Sequence, residues 1–332
     1  MRTLLAIDGG NSKTDVVLVA EDGTVLAQAR SGPFVPQSAG VPTAVDVAQQ
    51  AIDQVVRQAR EQGAVPRSEA TPYADHLVAY LAGADLPEEE EALSLEFAAR
   101  RFAPDVLVAN DTFALLRSGA SGPSGVAVVC GAGINAVGVA PDGRIARFPA
   151  LGRISGDWGG GQVVGEEALW HAARAEDGRG PATALTALVK EHFGVASIER
   201  LVLDLHTGAT DEADLAFLAP GLLEVASGGD PVARSLVERL AGEVCVLAEV
   251  CLRRLDMLNA PAEVVLGGGM LKARDPLLSR LLQEAFEVRA PHAKLVVADL
   301  PPIAGAALGG LDRMGAGDRA KARLRSHFGT GR

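Results

Sequence analysis

The stretch TLLAIDGGNSKTDVVLVAEDGTVLAQA, residues 3–29, decides the class of fold. Two apolar runs, residues 3–7 and 15–20, enclose a polar turn rich in glycine, and a second turn at residues 21–23 leads into a third run. Short apolar runs that alternate with tight Asp-Gly turns are typical of β-hairpins. The stretch therefore predicts three strands joined as an antiparallel meander.

The following part of the chain alternates between helical and extended patterns. Apolar residues at helical spacing predict helices over residues 42–63 and 87–102, whereas short apolar runs predict strands at residues 76–82 and 105–109. The resulting element order is βββαβαβ. This order places the chain among α/β proteins, in which helices cover a sheet.

The meander then occurs a second time, roughly 120 residues further along the chain. A predicted strand at residues 125–130 runs into the glycine turn at residues 131–135, and two more short strands surround the turn at residues 141–144. A repeated pattern of strand, glycine turn, strand, turn and strand indicates internal duplication. We therefore predict a duplicated α/β fold of two domains.

The duplication sets the expected domain boundaries. Residues 1–115 form the N-terminal domain, completed by a C-terminal helix near 303–325, and residues 116–300 form the C-terminal domain. The first helix of the second half is expected to begin near Gly165. The polar residues 315–332 are expected to form a frayed tail.

The composition excludes several classes of partner. The chain has 332 residues and a formal net charge of −11, so it lacks the excess of Lys and Arg that nucleic acids and anionic membranes attract. A single nucleotide is still permitted, because backbone N–H groups and one Mg²⁺ ion can neutralise its phosphates locally. The three cysteines have neither zinc-ligand nor disulfide spacing, and neither a signal peptide pattern nor a membrane-spanning apolar stretch is present. We expect a cytoplasmic protein.

The first glycine turn has the composition of a phosphate-binding loop. Glycine lets backbone N–H groups approach phosphate oxygens, and Ser, Lys and Thr add side-chain donors. The candidate phosphate ligands are Gly9, Gly10, Asn11, Ser12, Lys13 and Thr14. Asp8, at the end of the first strand, is a candidate Mg²⁺ ligand acting through water. An ordinary hairpin turn is the alternative, and the Walker sequence is absent.

Two more glycine segments follow predicted strands. One occupies the equivalent turn of the second meander, and a matched pair of such turns favours phosphate binding over two unrelated hairpins; its members are Gly131, Ala132 and Gly133. The other stands between a strand and a helix and consists of Gly267, Gly268 and Gly269. Three consecutive glycines are entropically costly, and close approach of the backbone to adenosine would explain them. A tight strand-to-helix turn is the alternative.

Two aspartates are candidates for the chemistry itself. Asp111 follows the strand at residues 105–109, at the end of the sheet where ligands collect, and a carboxylate there can accept a proton from an attacking hydroxyl. The alternative is that Asp111 only caps the next helix. Asp157, in the segment GDWGGG at residues 156–161, is a candidate contact of substrate or of Mg²⁺-bound water, with an ordinary loop as the alternative.

These segments together resemble a known family. AIDGGNSKTDVVLVAEDG, CGAGINAVGVAPDGR and VVLGGGML are similar to the two phosphate motifs and the adenosine motif of the acetate and sugar kinase/heat-shock-70/actin superfamily. Within it, the chain resembles the BadF/BadG/BcrA/BcrD-type ATPase family, in its N-acetylglucosamine kinase-like branch. Four further segments are similar to that family in the same order: LAGADLPEEEEAL, VANDTFALL, SGDWGGGQVVGEEAL and PPIAGAALGGLD.

The resemblance implies a ribonuclease H-like fold of the actin/hexokinase type, with an ATP cleft between two domains. It implies an ATP-dependent kinase of N-acetylglucosamine, glucosamine or a related hexose, with ATP and Mg²⁺ as cofactors. By the same resemblance Asp111 is the catalytic base, and Asn135 and Asp157 contact the sugar or the metal-bound water. A homodimer is the commonest assembly for such a chain.

Two departures from the family fall on the substrate side. The relatives carry a sugar-contacting Asn in the loop after the first meander, whereas the corresponding loop here, residues 31–38, has none and ends in Gln37 and Ser38, the candidate substrate contacts. An aromatic residue is usual where Leu151 stands. The identity of the sugar therefore stays open.

Two other functions stay open on the sequence. One is an ATP-driven activator of a CoA-linked reductase or dehydratase, which would hold an iron–sulfur cluster between two subunits. Cys130 inside a strand, and Cys245 and Cys251 on an apolar helix, do not suit exposed cluster ligands. The other is a catalytically silent sugar or nucleotide sensor. The presence of Asp111, the candidate base, argues against this sensor.

Overall fold

The computed structural model describes residues 1–65 and 71–329, and the chain divides into two compact units. Unit 1 comprises Met1–Gly125 and Ala298–Arg332, and unit 2 comprises Val126–Val297. Each unit has its own sheet of five strands. Helices pack against both sheets, so each unit is an α/β structure, as the alternating sequence pattern predicts.

The bounds of the elements follow the sequence pattern closely. The strands are β1 (Thr3–Gly9), β2 (Thr14–Ala20), β3 (Val25–Ser31), β4 (His76–Leu81), β5 (Asp105–Asn110), β6 (Gly125–Cys130), β7 (Ile134–Val139), β8 (Ile145–Arg147), β9 (Ala262–Gly267) and β10 (Ala293–Val297). The α-helices are α1 (Pro36–Ala39), α2 (Val41–Glu61), α3 (Pro87–Ala99), α4 (Thr112–Gly119), α5 (Gly160–Glu176), α6 (Leu185–Phe193), α7 (Ile198–His206), α8 (Ala219–Ser227), α9 (Pro231–Arg254), α10 (Gly269–Lys272), α11 (Pro276–Arg289), α12 (Pro302–Arg313) and α13 (Asp318–Gly329). Short 3-10 helices occupy Gly152–Ser155 and Glu212–Leu218.

Unit 1 begins with the predicted meander. Strand β1 pairs antiparallel with β2 and parallel with β4, β2 pairs antiparallel with β3, and β4 pairs parallel with β5. The order in the sheet is β3-β2-β1-β4-β5. The register places Asp8 opposite Asp15, so the first glycine turn closes the hairpin at the end of β1.

Alternation along β1 directs side chains into two separate cores of unit 1. Leu5 faces α2 and α3, whereas Leu4 faces α4 and α12. The second core is tight, because a Cβ on Gly305 would lie 1.9 Å from the carbonyl oxygen of Ala114, and one on Gly310 would lie 2.3 Å from Leu4. The small residues of α12 thus allow it to lie close under the sheet.

The C-terminal segment is a helix and not the frayed tail that its polarity suggests. Helix α13 buries Ala320 and Leu324, and a Cβ on Gly23 would lie 1.9 Å from the carbonyl oxygen of Ala320. Ala320, Leu324 and Phe328 recur at every fourth residue and so share one helical face. The prediction of a frayed tail is therefore wrong for Asp318–Gly329, because a narrow apolar stripe outweighs the polar composition.

Unit 2 repeats the topology of unit 1. Its sheet order reads β8-β7-β6-β9-β10 from one edge, which is the arrangement β3-β2-β1-β4-β5 of the first sheet. Strand β9 pairs parallel with both β6 and β10, and β7 pairs antiparallel with β8. The duplication predicted from the two meanders is thereby confirmed.

The first helix of unit 2 begins earlier than predicted. Helix α5 starts at Gly160 and not near Gly165. Gly159 and Gly160 have φ angles of 146° and 80°, which are accessible to glycine and strained for other residues. The glycines after Asp157 therefore let the chain turn directly into the helix.

No helix in the described part of the chain combines the length and the apolar character needed to cross a membrane.

Candidate functional site

The first glycine turn joins β1 to β2 and is held by its own backbone. The N–H of Gly10 donates to the carbonyl of Lys13 at 2.9 Å, and the N–H of Phe34 donates to the carbonyl of Gly10 at 2.9 Å. A Cβ on Gly9 would lie 2.6 Å from Leu81 and 3.1 Å from Phe34. Packing therefore requires glycine at position 9, independently of any ligand.

The other side chains of this turn differ in their availability. Asn11 and Ser12 are exposed. Thr14 is fully buried, and its hydroxyl donates to the carbonyl of Gly32 at 2.9 Å. Lys13 is half-buried and donates to a neighbouring carboxylate. In this structure Lys13 and Thr14 are engaged within the fold, whereas Asn11 and Ser12 are open to a ligand.

The carboxylate of Asp15 binds the two basic side chains that lie beside the turn. It accepts hydrogen bonds from Lys13 Nζ at 2.6 Å and from Arg30 Nε at 2.6 Å. Burial alone would raise the pKa of Asp15, but the hydrogen bonds and charges of Arg30 and Lys13 outweigh burial and lower it. The predicted Mg²⁺ ligand Asp8 is half-buried and lies directly opposite Asp15 in the hairpin.

A magnesium ion suits this turn by the mode in which Mg²⁺ usually binds. Among residues 1–65 and 71–329, no group of three or more His, Cys, Asp and Glu side chains is placed to hold a metal ion. Mg²⁺ does not need such a group, because it keeps several waters and is held by one or two carboxylates together with substrate phosphates. The half-buried carboxylate of Asp8 beside a glycine turn fits that pattern.

Asp111 lies between the end of β5 and the first turn of α4. Its N–H donates to the carbonyl of Leu81, at the end of the neighbouring strand β4, at 3.2 Å. Although Asp111 occupies the capping position, its side chain forms no capping hydrogen bond. Asn110 replaces it, because Asn110 Oδ1 accepts the N–H of Thr112 at 3.0 Å and the hydroxyl of Thr112 at 2.5 Å. Helix capping therefore does not explain the carboxylate of Asp111.

The surroundings of Asp111 make it a stronger base than an ordinary aspartate. Burial and, second to burial, the negative charge of Asp85 raise the pKa of Asp111 to about 6. The backbone N–H groups of Thr112 and Asp111 act in the opposite direction without reversing the shift. A carboxylate with such a pKa is suited to accept a proton during a reaction near neutral pH.

The predicted substrate contacts of unit 1 lie on the short helix α1. Gln37 and Ser38 are both exposed. Gln37 lies against the loop that follows β4, because a Cβ on Gly83 would come within 2.4 Å of its side-chain amide. Its Nε2 is also 3.5 Å from Glu89 Oε1. The structure thus brings Gln37 to the loop that includes Asp85.

The second glycine turn, between β6 and β7, packs against the start of α5. The N–H of Gly131 donates to the carbonyl of Gly133 at 2.9 Å, and the N–H of Gly161 donates to the carbonyl of Gly131 at 2.7 Å. A Cβ on Gly160 would lie 2.4 Å from the carbonyl oxygen of Ala132. Two glycine-rich segments therefore meet backbone to backbone, and they leave Ala132 and Gly133 exposed.

The members of the third glycine segment differ from one another. Gly267 is buried at the end of β9. Gly268 has a φ angle of 84°, and a Cβ there would lie 2.3 Å from the carbonyl oxygen of Cys130. Gly269 is exposed, and a Cβ there would meet nothing within 4 Å. Tight packing therefore explains Gly268, whereas Gly269 is open to a ligand.

A pocket of 710 Å³ in unit 2 brings the second and third glycine segments together. Gly131 and Gly269 are among the residues that line it, and Phe217, Leu223 and Met270 contribute apolar side chains. Phe217 is 66% exposed, so its side chain is open to a ligand in the pocket. A pocket of this size with glycine backbone on one side and apolar walls on the other suits a nucleoside with attached phosphates.

Asn135 and Asp157 are not among the residues that line this pocket. Asn135 is half-buried on β7, and its Oδ1 accepts the N–H of Ala136 at 2.7 Å. Asp157 is half-buried and accepts the hydroxyl of Ser155 at 2.5 Å. The buried ring of Trp158 anchors this loop, because the guanidinium carbon of Arg239 lies 4.2 Å from the ring centre.

Sequence reasoning did not single out several residues of interest. Asp85 lies in the segment LAGADLPEEEEAL, but its run of four glutamates indicates only a solvated helix start, and its effect on Asp111 arises where two loops meet. Met270 lies in the segment VVLGGGML, of which only the glycines were candidates, and Phe217 lines the pocket from a segment that lacks any signature. Glycine turns can be found in a sequence because glycine is distinctive, whereas apolar walls resemble ordinary core residues.

Comparison with known proteins gives matches over nearly the whole chain. Residues 5–310 match the model of the BadF/BadG/BcrA/BcrD ATPase family. An N-acetyl-D-glucosamine kinase of Dictyostelium discoideum is 26% identical over 309 residues, which are 92% of this chain and 96% of that protein. A glucosamine kinase of Vibrio cholerae is 25% identical over 281 residues, which are 79% of this chain and 90% of that protein.

A solved structure extends these matches to the fold. It is that of a candidate N-acetylglucosamine kinase of Chromobacterium violaceum, which is similar at a TM-score of 0.70 and 26% identity, over 94% of this chain and 99% of that chain. The likeness confirms the predicted duplicated α/β fold of the actin-like ATPase type.

Proposed function

This chain belongs to the BadF/BadG/BcrA/BcrD ATPase family, and on that premise we propose that it is an ATP-dependent kinase that phosphorylates a hydroxyl group of an amino sugar. The amino sugar kinases among its relatives, which match over most of the chain, support this assignment. The observation that carries it is the Asp111 carboxylate, which has a pKa of about 6 and no capping role. A purely structural aspartate at a helix start would accept the capping hydrogen bonds.

Unit 2 supplies the nucleotide side of the proposed reaction. The adenosine occupies the pocket beside Phe217 and Met270, with Gly269 at its border. The exposed turn at Ala132 and Gly133 offers backbone N–H groups to the phosphates. Gly160 and Gly268 support these loops by allowing close packing, and Gly267 is buried at the end of β9.

Unit 1 supplies the chemistry. The hydroxyl oxygen of the sugar attacks the γ-phosphorus in line, the bond to the oxygen of ADP breaks, and Asp111 accepts the hydroxyl proton. The first glycine turn, with Gly10, Asn11 and Ser12 exposed or near the surface, holds phosphate oxygens. Asp8 would hold Mg²⁺ through water, and the ion would neutralise charge on the phosphates when bound.

The sugar itself is assigned only as a class. Gln37 and Ser38, together with Asn135 and Asp157, are the proposed contacts of the sugar. Leu151 is 45% exposed, so the position that is usually aromatic offers a smaller apolar surface. We therefore propose N-acetylglucosamine, glucosamine or a related hexose as acceptor, in the cytoplasm. A homodimer remains a prediction from the sequence.

The electron-transfer activator is not favoured. Cys130, Cys245 and Cys251 are all buried. Burial raises the pKa of the Cys130 and Cys251 thiols to about 12, whereas a cluster ligand must be a thiolate. The cysteines therefore lack the exposure and acidity that a shared iron–sulfur cluster requires.

The first test is ADP release from MgATP in the presence of glucosamine, N-acetylglucosamine, N-acetylmannosamine, glucose or buffer alone. We expect strong stimulation by one amino sugar, which would identify the acceptor directly. ATP binding without stimulation by any sugar would contradict the kinase and favour a sensor. Slow ADP release that no sugar stimulates, from a protein that is coloured by an iron–sulfur cluster, would instead favour the electron-transfer activator.

A further inference from the structure

At the start of α4, the side chain of Asn110 accepts the capping hydrogen bonds in place of Asp111. It is 2% exposed, and its Oδ1 accepts both the N–H and the hydroxyl of Thr112. Because Oδ1 accepts two hydrogen bonds, the orientation of the side-chain amide is set, and Nδ2 must point the other way. Asn110 thus accepts the capping hydrogen bonds at the start of α4, and the side chain of Asp111 accepts none of them.

The Nδ2 group of Asn110 is directed at Asp85. It donates to Asp85 Oδ1 at 2.8 Å. An aspartate at position 110 could not make this contact, because it has no donor and would repel Asp85. The amide is therefore required at this position by the hydrogen bonds on both of its ends.

Helix α3 holds the other side of this contact. Glu89 Oε2 accepts the N–H of Asp85 at 2.9 Å and that of Leu86 at 3.0 Å. Glu90 Oε1 accepts the N–H of Asn110 at 3.2 Å. Helix α3 thus binds the loop after β4 through Glu89 and the end of β5 through Glu90, and the bond from Asn110 to Asp85 joins these two segments directly.

We infer that Asp85 and Asn110 form a positioning pair, which holds the loop after β4 against the end of β5 and keeps the Asp111 carboxylate free and correctly placed to take the proton of the acceptor hydroxyl. The inference rests on the proposed kinase function. The elevated pKa of Asp111, to which the charge of Asp85 contributes second to burial, supports it. Neither Asp85 nor Asn110 needs to touch the substrate, so both act through Asp111.

The test compares Asp85→Ala, Asp85→Asn, Asn110→Ala and the double variant Asp85→Ala/Asn110→Ala, with Glu91→Ala as the matched control, an exposed acid on α3. Misplacement of a catalytic group by about 1 Å can cost roughly 100-fold, so we expect Asp85→Ala to lower kcat by about 10- to 100-fold. The KM for ATP and its directly measured affinity should not change, because Asp85 and Asn110 belong neither to the pocket of unit 2 nor to the first glycine turn. Asp85→Asn keeps an acceptor for Asn110 and should recover most of the kcat.

The double variant separates a pair from two independent residues. If Asp85 and Asn110 act as one pair, the double variant should be no slower than the slower single variant, since coupled residues are not additive. Multiplied losses would overturn the pair, as would wild-type kcat in Asp85→Ala. A loss confined to KM for ATP would also overturn it. Wild-type protein that shows no sugar-dependent turnover would overturn the kinase and this inference together, so the two failures are distinguishable.

Discussion

The two units share one topology but use their glycine turns differently. In unit 1 the turn after β1 is surrounded by charge: Asp8 and Asp15 face each other, Lys13 and Arg30 pair with Asp15, and Asp111 follows β5. In unit 2 the pocket beside the equivalent turn after β6 is lined by glycine backbone and mainly by apolar side chains, with Glu224, Arg274 and Asp275 as its charged members. The same fold therefore presents a charged edge once and a mainly apolar, glycine-lined pocket once.

This difference indicates a division of labour within a duplicated fold. In the proposed reaction, proton transfer and metal binding need carboxylates, and Asp8 and Asp111 of unit 1 are the candidates for these roles. Binding a purine needs a flat apolar surface and close backbone, and the pocket around Phe217 and Gly269 in unit 2 is the candidate for this role. Duplication lets each copy of the sheet specialise, since function depends on the site and not on the fold.

The largest effect should come from removing the base of unit 1. Asp111→Asn should lower sugar-dependent ADP release by roughly 10²- to 10⁴-fold, while ATP still binds. Isothermal titration with ATP and steady-state assays would measure both quantities. Near-normal turnover would contradict the assignment of Asp111 as the base.

Stability provides the control for this variant. A pKa raised in the folded state means that ionised Asp111 destabilises the fold above about pH 6, whereas below about pH 4 it is protonated in both states and has no effect. Asp111→Asn should therefore be at least as stable as the wild type at pH 7.5, by up to about 2 kcal/mol. A strongly destabilised variant would mean that lost activity reflects lost folding.

The backbone character of unit 2 can be tested at Gly268. Gly268→Ala places a Cβ 2.3 Å from the carbonyl oxygen of Cys130 at a φ of 84°, so we expect the free energy of unfolding to fall by about 3 kcal/mol or more. Gly269→Ala is the matched control, because a Cβ there meets nothing within 4 Å. Chemical denaturation would measure both, and equal stability of the two variants would refute the tight strand-to-helix turn.

The charged character of unit 1 should appear in the pH dependence. Only ionised Asp111 can accept a proton, and its pKa is raised to about 6. The value of kcat/KM for the sugar should therefore fall about tenfold per pH unit below pH 6, where an ordinary aspartate would stay ionised down to about pH 4. A profile that stays flat to pH 5 would contradict the shifted pKa.

The smallest effect is expected at the apolar wall of unit 2. Phe217 is 66% exposed, so Phe217→Ala should cost little stability. It should weaken ATP binding about five- to tenfold, equivalent to about 1 kcal/mol of aromatic contact, with kcat unchanged. Val288→Ala, which removes a still more exposed apolar side chain outside the pocket, should leave ATP affinity at the wild-type value.

Much of the fold could be predicted because the relevant signals are local. The meander at residues 3–29 and its repeat follow from apolar runs and Asp-Gly turns, and both are present in the structure. The prediction was wrong where the polar composition of a segment conflicts with its apolar spacing. This is the case in α13, whose apolar stripe consists of only three residues. It also placed the start of α5 too late, because consecutive glycines resemble a loop.

The sequence by itself determined the class of fold, its duplication and the positions of the glycine turns and of Asp111, because each of these depends on residues close together in the chain. Only the tertiary structure decided which glycines are required by packing, as Gly268 is and Gly269 is not. It also decided that Asn110, not Asp111, caps α4, and that Asp85 acts on Asp111. The packing of Gly268 against Cys130, the bond that orients the Asn110 amide toward Asp85 and the effect of Asp85 on Asp111 all join segments far apart in the chain, which packing brings together and local pattern does not.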